Sequence, residues 1–126
     1  MKYVILIYSN PTSRQIWDSL SSGERAEGLS YYAELADTLA ESGELIATEA
    51  LAGPDQATGV RVHEGITMTT DGPFAESKEH LAGFFLLDCA DLDRAIEIAS
   101  EVPEAQYGLV EVRPVRELSD FEAWQS

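Results

Sequence analysis

Basic residues are scarce in this chain. Eight lysines and arginines stand against 23 aspartates and glutamates over 126 residues, a formal charge of −15, and such a surface repels phosphate backbones and anionic membranes. Neither nucleic acid nor a membrane is therefore an expected partner. Cysteine occurs once, at Cys89, which excludes an internal disulfide and a cysteine-based zinc cluster and suits a reducing compartment. No apolar run approaches the ~20 residues of a membrane span. Met1-Lys2-Tyr3-Val4 runs straight into a strand-like segment with no signal-peptide n-region or cleavage site, so a cytoplasmic location is expected. Gly-rich phosphate loops of the G-x-G-x-x-G or Walker type are missing, and neither His63 nor His80 stands at zinc-like spacing from a cysteine or aspartate. No cofactor and no metal are expected.

What is present is an ordinary globular balance, 44% hydrophobic and 25% charged, in a chain long enough for one core. Residues 1–126 read as a single domain. Lys2 to Tyr8 is a β-branched and aromatic run closed by Ser9-Asn10-Pro11, a strand followed by turn chemistry. Thr12 to Leu20 holds a short helical turn around Trp17. Ser21 and Glu24 spell a capping box, and from Ala26 the residues Leu29, Tyr32, Ala33, Ala36, Leu39 and Ala40 recur at helical spacing up to Gly43. Glu44 to Leu51 is a second strand. Thr58 to His63 and Ile66 to Thr70 form a hairpin about Glu64-Gly65. Asp71-Gly72-Pro73-Phe74 forces a turn, Gly83 to Cys89 reads as a central strand, Asp91 caps a helix to about Val102 with Leu92, Ala95, Ile96 and Ala99 as its stripe, and Gly108 to Val112 is the last strand.

This order predicts an α+β sandwich of ferredoxin-like type, one antiparallel sheet with its helices on one face. The other face is the informative one. Val4, Ile5, Leu6 and Ile7, like Phe84, Phe85, Leu86 and Leu87, put large apolar groups on both sides of their strands. A second copy of the same sheet is the simplest cover, and a homodimer packed through its sheet faces is expected.

The segment Asp71-Gly72-Pro73-Phe74-Ala75-Glu76-Ser77-Lys78-Glu79 before a Gly-containing apolar strand, and the terminal Gly108-Leu109-Val110-Glu111-Val112-Arg113-Pro114-Val115, resemble the DGPF family, a branch of the YCII-related proteins. The resemblance extends to the opening Lys2 to Tyr8 strand and the helix start at Ser22 to Arg25. It implies a dimeric α/β barrel. For the YCII branch it implies a site built on a histidine of the first helix with a nearby acid. Aligned through Gly43, this chain has Tyr32 or Tyr31 at that place, and a phenol titrating near ~10 is a poorer base at neutral pH than an imidazole near ~6.5. Association of the family with extracytoplasmic-function sigma factors implies a regulatory accessory role as an alternative to catalysis.

Asp71, Glu76, Lys78 and His80 bring two carboxylates, an ammonium and an imidazole within ten residues. Paired acids in a cleft split their titrations and serve as acid and base, and an imidazole changes charge near neutrality; Asp71 and His80 are the candidate catalytic residues. Asp71 also suits a purely structural turn cap. Glu111 and Arg113 share one face of the last strand, opposite Val110 and Val112. In the dimer cleft, either the Arg113 guanidinium holds a carboxylate ligand, with Glu111 beside it in the binding set, or the two form an ion pair between subunits. Tyr8, Tyr32 and Phe74 complete the candidate binding set, Phe74 doubling as a core plug. Phe121 and Trp124 are expected to dock a terminal turn. Two functions follow: a cofactor-independent acid/base enzyme acting on a small organic molecule, or a non-catalytic module that binds a small molecule or partner.

Overall fold

The computed structural model describes residues 1–74 and 78–119; Glu76, Phe121 and Trp124 lie outside the described residues. The chain opens with strand β1 (Lys2–Ser9) and turns at Asn10 into helix α1 (Pro11–Ser19). Asn10 Oδ1 accepts from the Ser13 backbone N–H at 2.8 Å while Ser13 Oγ accepts from the Asn10 N–H at 2.9 Å. This reciprocal cap, with a proline in the first turn, extends what reads locally as a turn into a two-turn helix. Helix α2 (Ser22–Glu41) starts on the expected Ser21 and Glu24 box, and Gly43 ends it at φ 80°, a conformation glycine adopts without strain.

Strand β2 (Leu45–Ala50), the hairpin β3 (Thr58–His63) and β4 (Ile66–Asp71), strand β5 (His80–Asp88), helix α3 (Leu92–Ser100) and strand β6 (Val110–Pro114) follow, with a 3-10 turn over Pro103–Tyr107 before β6. β2, β5, β1 and β6 form one sheet in that spatial order, with every pairing antiparallel. Among the described residues β3 and β4 pair only with each other, so the hairpin is a separate ribbon and not part of the main sheet. With α2 and α3 packed on one side, this is the ferredoxin-like α+β arrangement.

Alternation along β1 and β5 decides which side is the core. Ile5, Ile7, Phe85 and Leu87 are buried and meet Leu35, Leu39, Ile98, Ala99 and Val102, while Tyr3 is buried in a smaller cluster with Cys89 and Ala95. The helix stripes differ from expectation. In α2 the buried pair is Leu35 and Leu39 while Leu29 is 61% exposed, and in α3 Ile98 is buried while Ile96 is 50% exposed. Both helices carry apolar residues on more than one side, so periodicity admits two rotations and only the sheet selects one. β5 also begins three residues earlier than expected, at His80, pairing with Ser9. A hydrogen on Gly83 lets β2 approach, since a Cβ there would stand 2.8 Å from the Glu49 carbonyl oxygen.

Arg94 of α3 ties that helix to the start of β2. Its Nε and Nη2 donate to the two carboxylate oxygens of Glu44, both at 2.9 Å, a bidentate fork. Hydrogen bonds from Arg94, then from Ser42, hold the Glu44 carboxyl below its usual range against the opposing effect of burial. A carboxyl depressed in the folded state stabilises the fold above its unfolded pKa of ~4.3 and loses that contribution as pH falls through the lower folded value. Glu44→Gln is therefore expected to cost about 1 kcal/mol at pH 7 and almost nothing in strong acid. Urea unfolding of both proteins from pH 7 to pH 2 checks this, and a difference constant across that range would contradict it.

Candidate functional site

The side of the sheet away from the helices has an apolar centre and charged margins. Cross-strand register sets Val4 beside Arg113 and Leu86, and Leu6 beside Glu111 and Phe84; on β2, Ala47 faces Leu86 and Glu49 faces Phe84. Val110 and Val112 pack into the core on the other side, so the alternation of β6 turns Glu111 and Arg113 onto the open face. Tyr8 joins them. Burial raises its phenol above the ordinary value, the Glu111 and Glu79 carboxylates add to that rise, and Arg113 opposes it. Its hydroxyl is thus a standing hydrogen-bond donor at neutral pH.

A register shift between Ile7 and Tyr8 leaves Ala82 unpaired, with Tyr8 opposite Leu81 and Ser9 opposite His80. Such bulges re-aim the residues beyond them. Here they bring the start of β5 to a cavity of about 440 Å³ at the foot of the β3–β4 ribbon, lined by His80, Glu79, Leu81, Phe74, Pro54 and Thr58 among others. Phe74 is 75% exposed at its edge, so it lines a cavity and plugs no core. Glu79 belongs to both places: it lines the cavity and acts electrostatically on Tyr8. Glu79 is thus the link between two places: Tyr8, Glu111 and Arg113 stand on the open face and do not line the cavity, while His80, paired with Ser9, is turned to the other side of the strand pair from Tyr8.

The imidazole is held from one side. Arg14 Nη1 lies 3.3 Å from His80 Nδ1 and donates to Ser9 Oγ at 3.0 Å. A guanidinium only donates, so Nδ1 accepts and the ring proton resides on Nε2. That Nε2 is buried without a hydrogen-bond partner among the described residues, a condition that costs roughly 1–3 kcal/mol. As held, His80 is a hydrogen-bond donor whose basic nitrogen is already occupied. Arg14 and Glu79 are the members that reading the residues in order passes over. Arg14 reaches His80 across 66 positions of sequence, and no local pattern announces such a contact.

Two candidates stand apart. Asp71 ends β4 as an exposed residue, one position before the cavity-lining Gly72. Tyr32 lies on the helical side of the sheet, packed on the core, where its hydroxyl donates to the Glu104 carboxylate. Burial, and then that carboxylate, hold its phenol far above the ordinary value, so it is a structural tie between α2 and the 3-10 turn. Cys89 is buried, and burial raises its thiol, as for a packed side chain and not a nucleophile. Among the described residues no group of three or more His, Cys, Asp and Glu is placed to hold a metal ion, and no helix is long and apolar enough to cross a membrane.

Comparison with known proteins places this geometry in a family. The chain is 34% identical over 117 residues to an uncharacterized protein of Rhizobium meliloti (strain 1021), with 91% of this chain and 92% of that protein covered. Among solved structures it is similar to 5-chloro-2-hydroxyhydroquinone dehydrochlorinase from Burkholderia phenoliruptrix AC1100 in complex with 2,5-dihydroxybenzoquinone. The TM-score is 0.50 at 15% identity, covering 95% of this chain and 98% of that one; at that identity the likeness is one of fold. The YCII-related domain matches residues 1–119, nearly the whole β-α-β frame with its inserted ribbon, and the chain belongs to the YCII-related family.

Proposed function

We propose that this protein is a homodimer, sheet face on sheet face as an α/β barrel, that binds a small organic molecule bearing an anionic group and acts on it by proton transfer without a cofactor. The observation that carries this reading is the buried, unpartnered Nε2–H of His80 on a residue that lines the cavity. A buried donor without a partner is costly, and a ligand oxygen taking the place of the atoms that now cover it removes that cost. In this arrangement His80 donates to a carbonyl or enolate oxygen at the cavity, and Arg113, with the Tyr8 hydroxyl near it on the open face, holds the anionic group. Because Arg14 occupies the imidazole's acceptor nitrogen, the proton is taken by a carboxylate, Glu79 or Glu111, in place of the histidine. The dehydrochlorinase of similar fold is held with a small oxygenated ring, which supports a small organic ligand at the level of the fold.

One observation favours the second reading, a binding module without turnover: the His80 imidazole has its basic nitrogen tied up. Native mass spectrometry before and after mild denaturation separates the cases. A dimer carrying a reproducible extra mass, lost on denaturation and absent from Arg113→Gln, is the expected result. A monomer would overturn the sheet-to-sheet reading, and a clean dimer would put the interaction module ahead.

A further inference from the structure

The β3–β4 ribbon stands outside both layers. Every residue of it except Gly59 is exposed. Register divides its side chains into two faces: Val60 and Val62 with Thr69 and Thr67, and Arg61 and His63 with Met68 and Ile66. Each face presents large apolar groups, with Val60 67%, Ile66 64% and Met68 47% exposed. A lone two-stranded hairpin is marginal in water, and one with apolar groups on both faces calls for a cover.

We propose that the Arg61 and Met68 face of the ribbon docks along the β2 margin of a second copy of this chain, so that each cavity is shaped by two subunits. The inference rests on the homodimer reading above. β2 is an edge strand whose margin offers Ile46 and Leu51, both 47% exposed, with exposed Glu49 between them. The ribbon face answers with Ile66, Met68 and the Arg61 guanidinium, apolar to apolar and cation to carboxylate. Two copies of a chain of charge −15 repel, and a contact led by a cation offsets that repulsion where it forms.

Area points the same way. A four-stranded face is roughly 19 Å wide and, over five residues, about 17 Å long. That is a plan area of roughly 300 Å², and contact outside the sheet adds to it toward the ~800 Å² of accessible surface per partner typical of a specific interface. A ribbon of six residues per strand adds about 20 Å of further contact. Thr58 and Gly59 at its foot and Phe74 beyond its end line the cavity, so a ribbon pinned on the partner fixes the cavity wall and ligand retention depends on the dimer.

Sedimentation equilibrium of the full chain tests this with Met68→Glu, with Arg61→Glu as a second variant, and with Val60→Glu on the opposite face as control; circular dichroism melts verify that each is folded. Met68→Glu and Arg61→Glu are expected to raise the dimer dissociation constant about tenfold or more and Val60→Glu to change it less than about threefold. A wild-type dimer that both variants leave unchanged overturns ribbon docking and leaves the homodimer standing. Equal weakening by Val60→Glu overturns the assignment of the face, and a monomeric wild type overturns the homodimer reading and this inference together.

Discussion

Leu87→Ala is expected to destabilise the fold by about 2–5 kcal/mol, the range for deleting a large buried side chain with incomplete collapse of the space left. Leu87 is fully buried near the end of β5, between Tyr3 of β1 and Leu45 of β2, and packs against both helices' residues in the main core. Domains of this size hold roughly 5–15 kcal/mol in total, so the midpoint of thermal unfolding should fall by about 10 °C or more. The companion variant is Leu86→Ala. Leu86 is the next residue along but points to the open face, half-buried in the single chain. If a second sheet covers that face, the midpoint depends on protein concentration and Leu86→Ala lowers it at every concentration. Melting curves at several concentrations read both results. A Leu87→Ala protein with an unchanged midpoint would contradict the core assignment.

The difference between these neighbours marks what was legible in the residues alone. Alternation along β1 and β5 is carried by runs in which every position is apolar, so the existence of two apolar faces is evident, and so are the Ser21 and Glu24 cap and the Gly43 stop. Which helix face meets the sheet is not evident, because Leu29 and Leu35, or Ile96 and Ile98, lie on different sides of their helix and each could face it. The separation of the ribbon is invisible to pattern, since pairing partners are set by tertiary geometry. The site was legible in half. Placing Glu111 and Arg113 opposite the valines follows from a period of two, and the structure puts them on the open face beside Tyr8. Tyr32 reads equally well as a pocket residue until the sheet puts it on the helical side, and the hold of Arg14 on His80 depends on a bulge that no local signal betrays.

The second large effect concerns His80. His80→Phe is expected to abolish ligand retention, a loss of about 100-fold or more in affinity for a buried hydrogen bond to a charged oxygen, while leaving thermal stability unchanged or slightly higher. The reasoning follows the orphaned Nε2. Replacing a buried donor that has no partner with an apolar ring of similar bulk removes a desolvation penalty, and Arg14 keeps its bond to Ser9. Native mass spectrometry and a thermal melt on the same sample give the two readouts. A histidine serving the fold alone would show the reverse pattern, a midpoint several degrees lower with the extra mass retained.

Strand β1 has a further consequence, for the order of events in folding. It is laid down first, yet Ile5 pairs with Phe85 on one side and Val112 on the other, so both edges of the most apolar strand stay open until most of the chain has left the ribosome. Closing such long loops makes folding slow relative to helical proteins of the same size. Meanwhile Val4-Ile5-Leu6-Ile7 is an unpaired template for other nascent chains. Yield in cells should therefore respond more to growth temperature and chaperone supply than the stability of the finished protein would suggest.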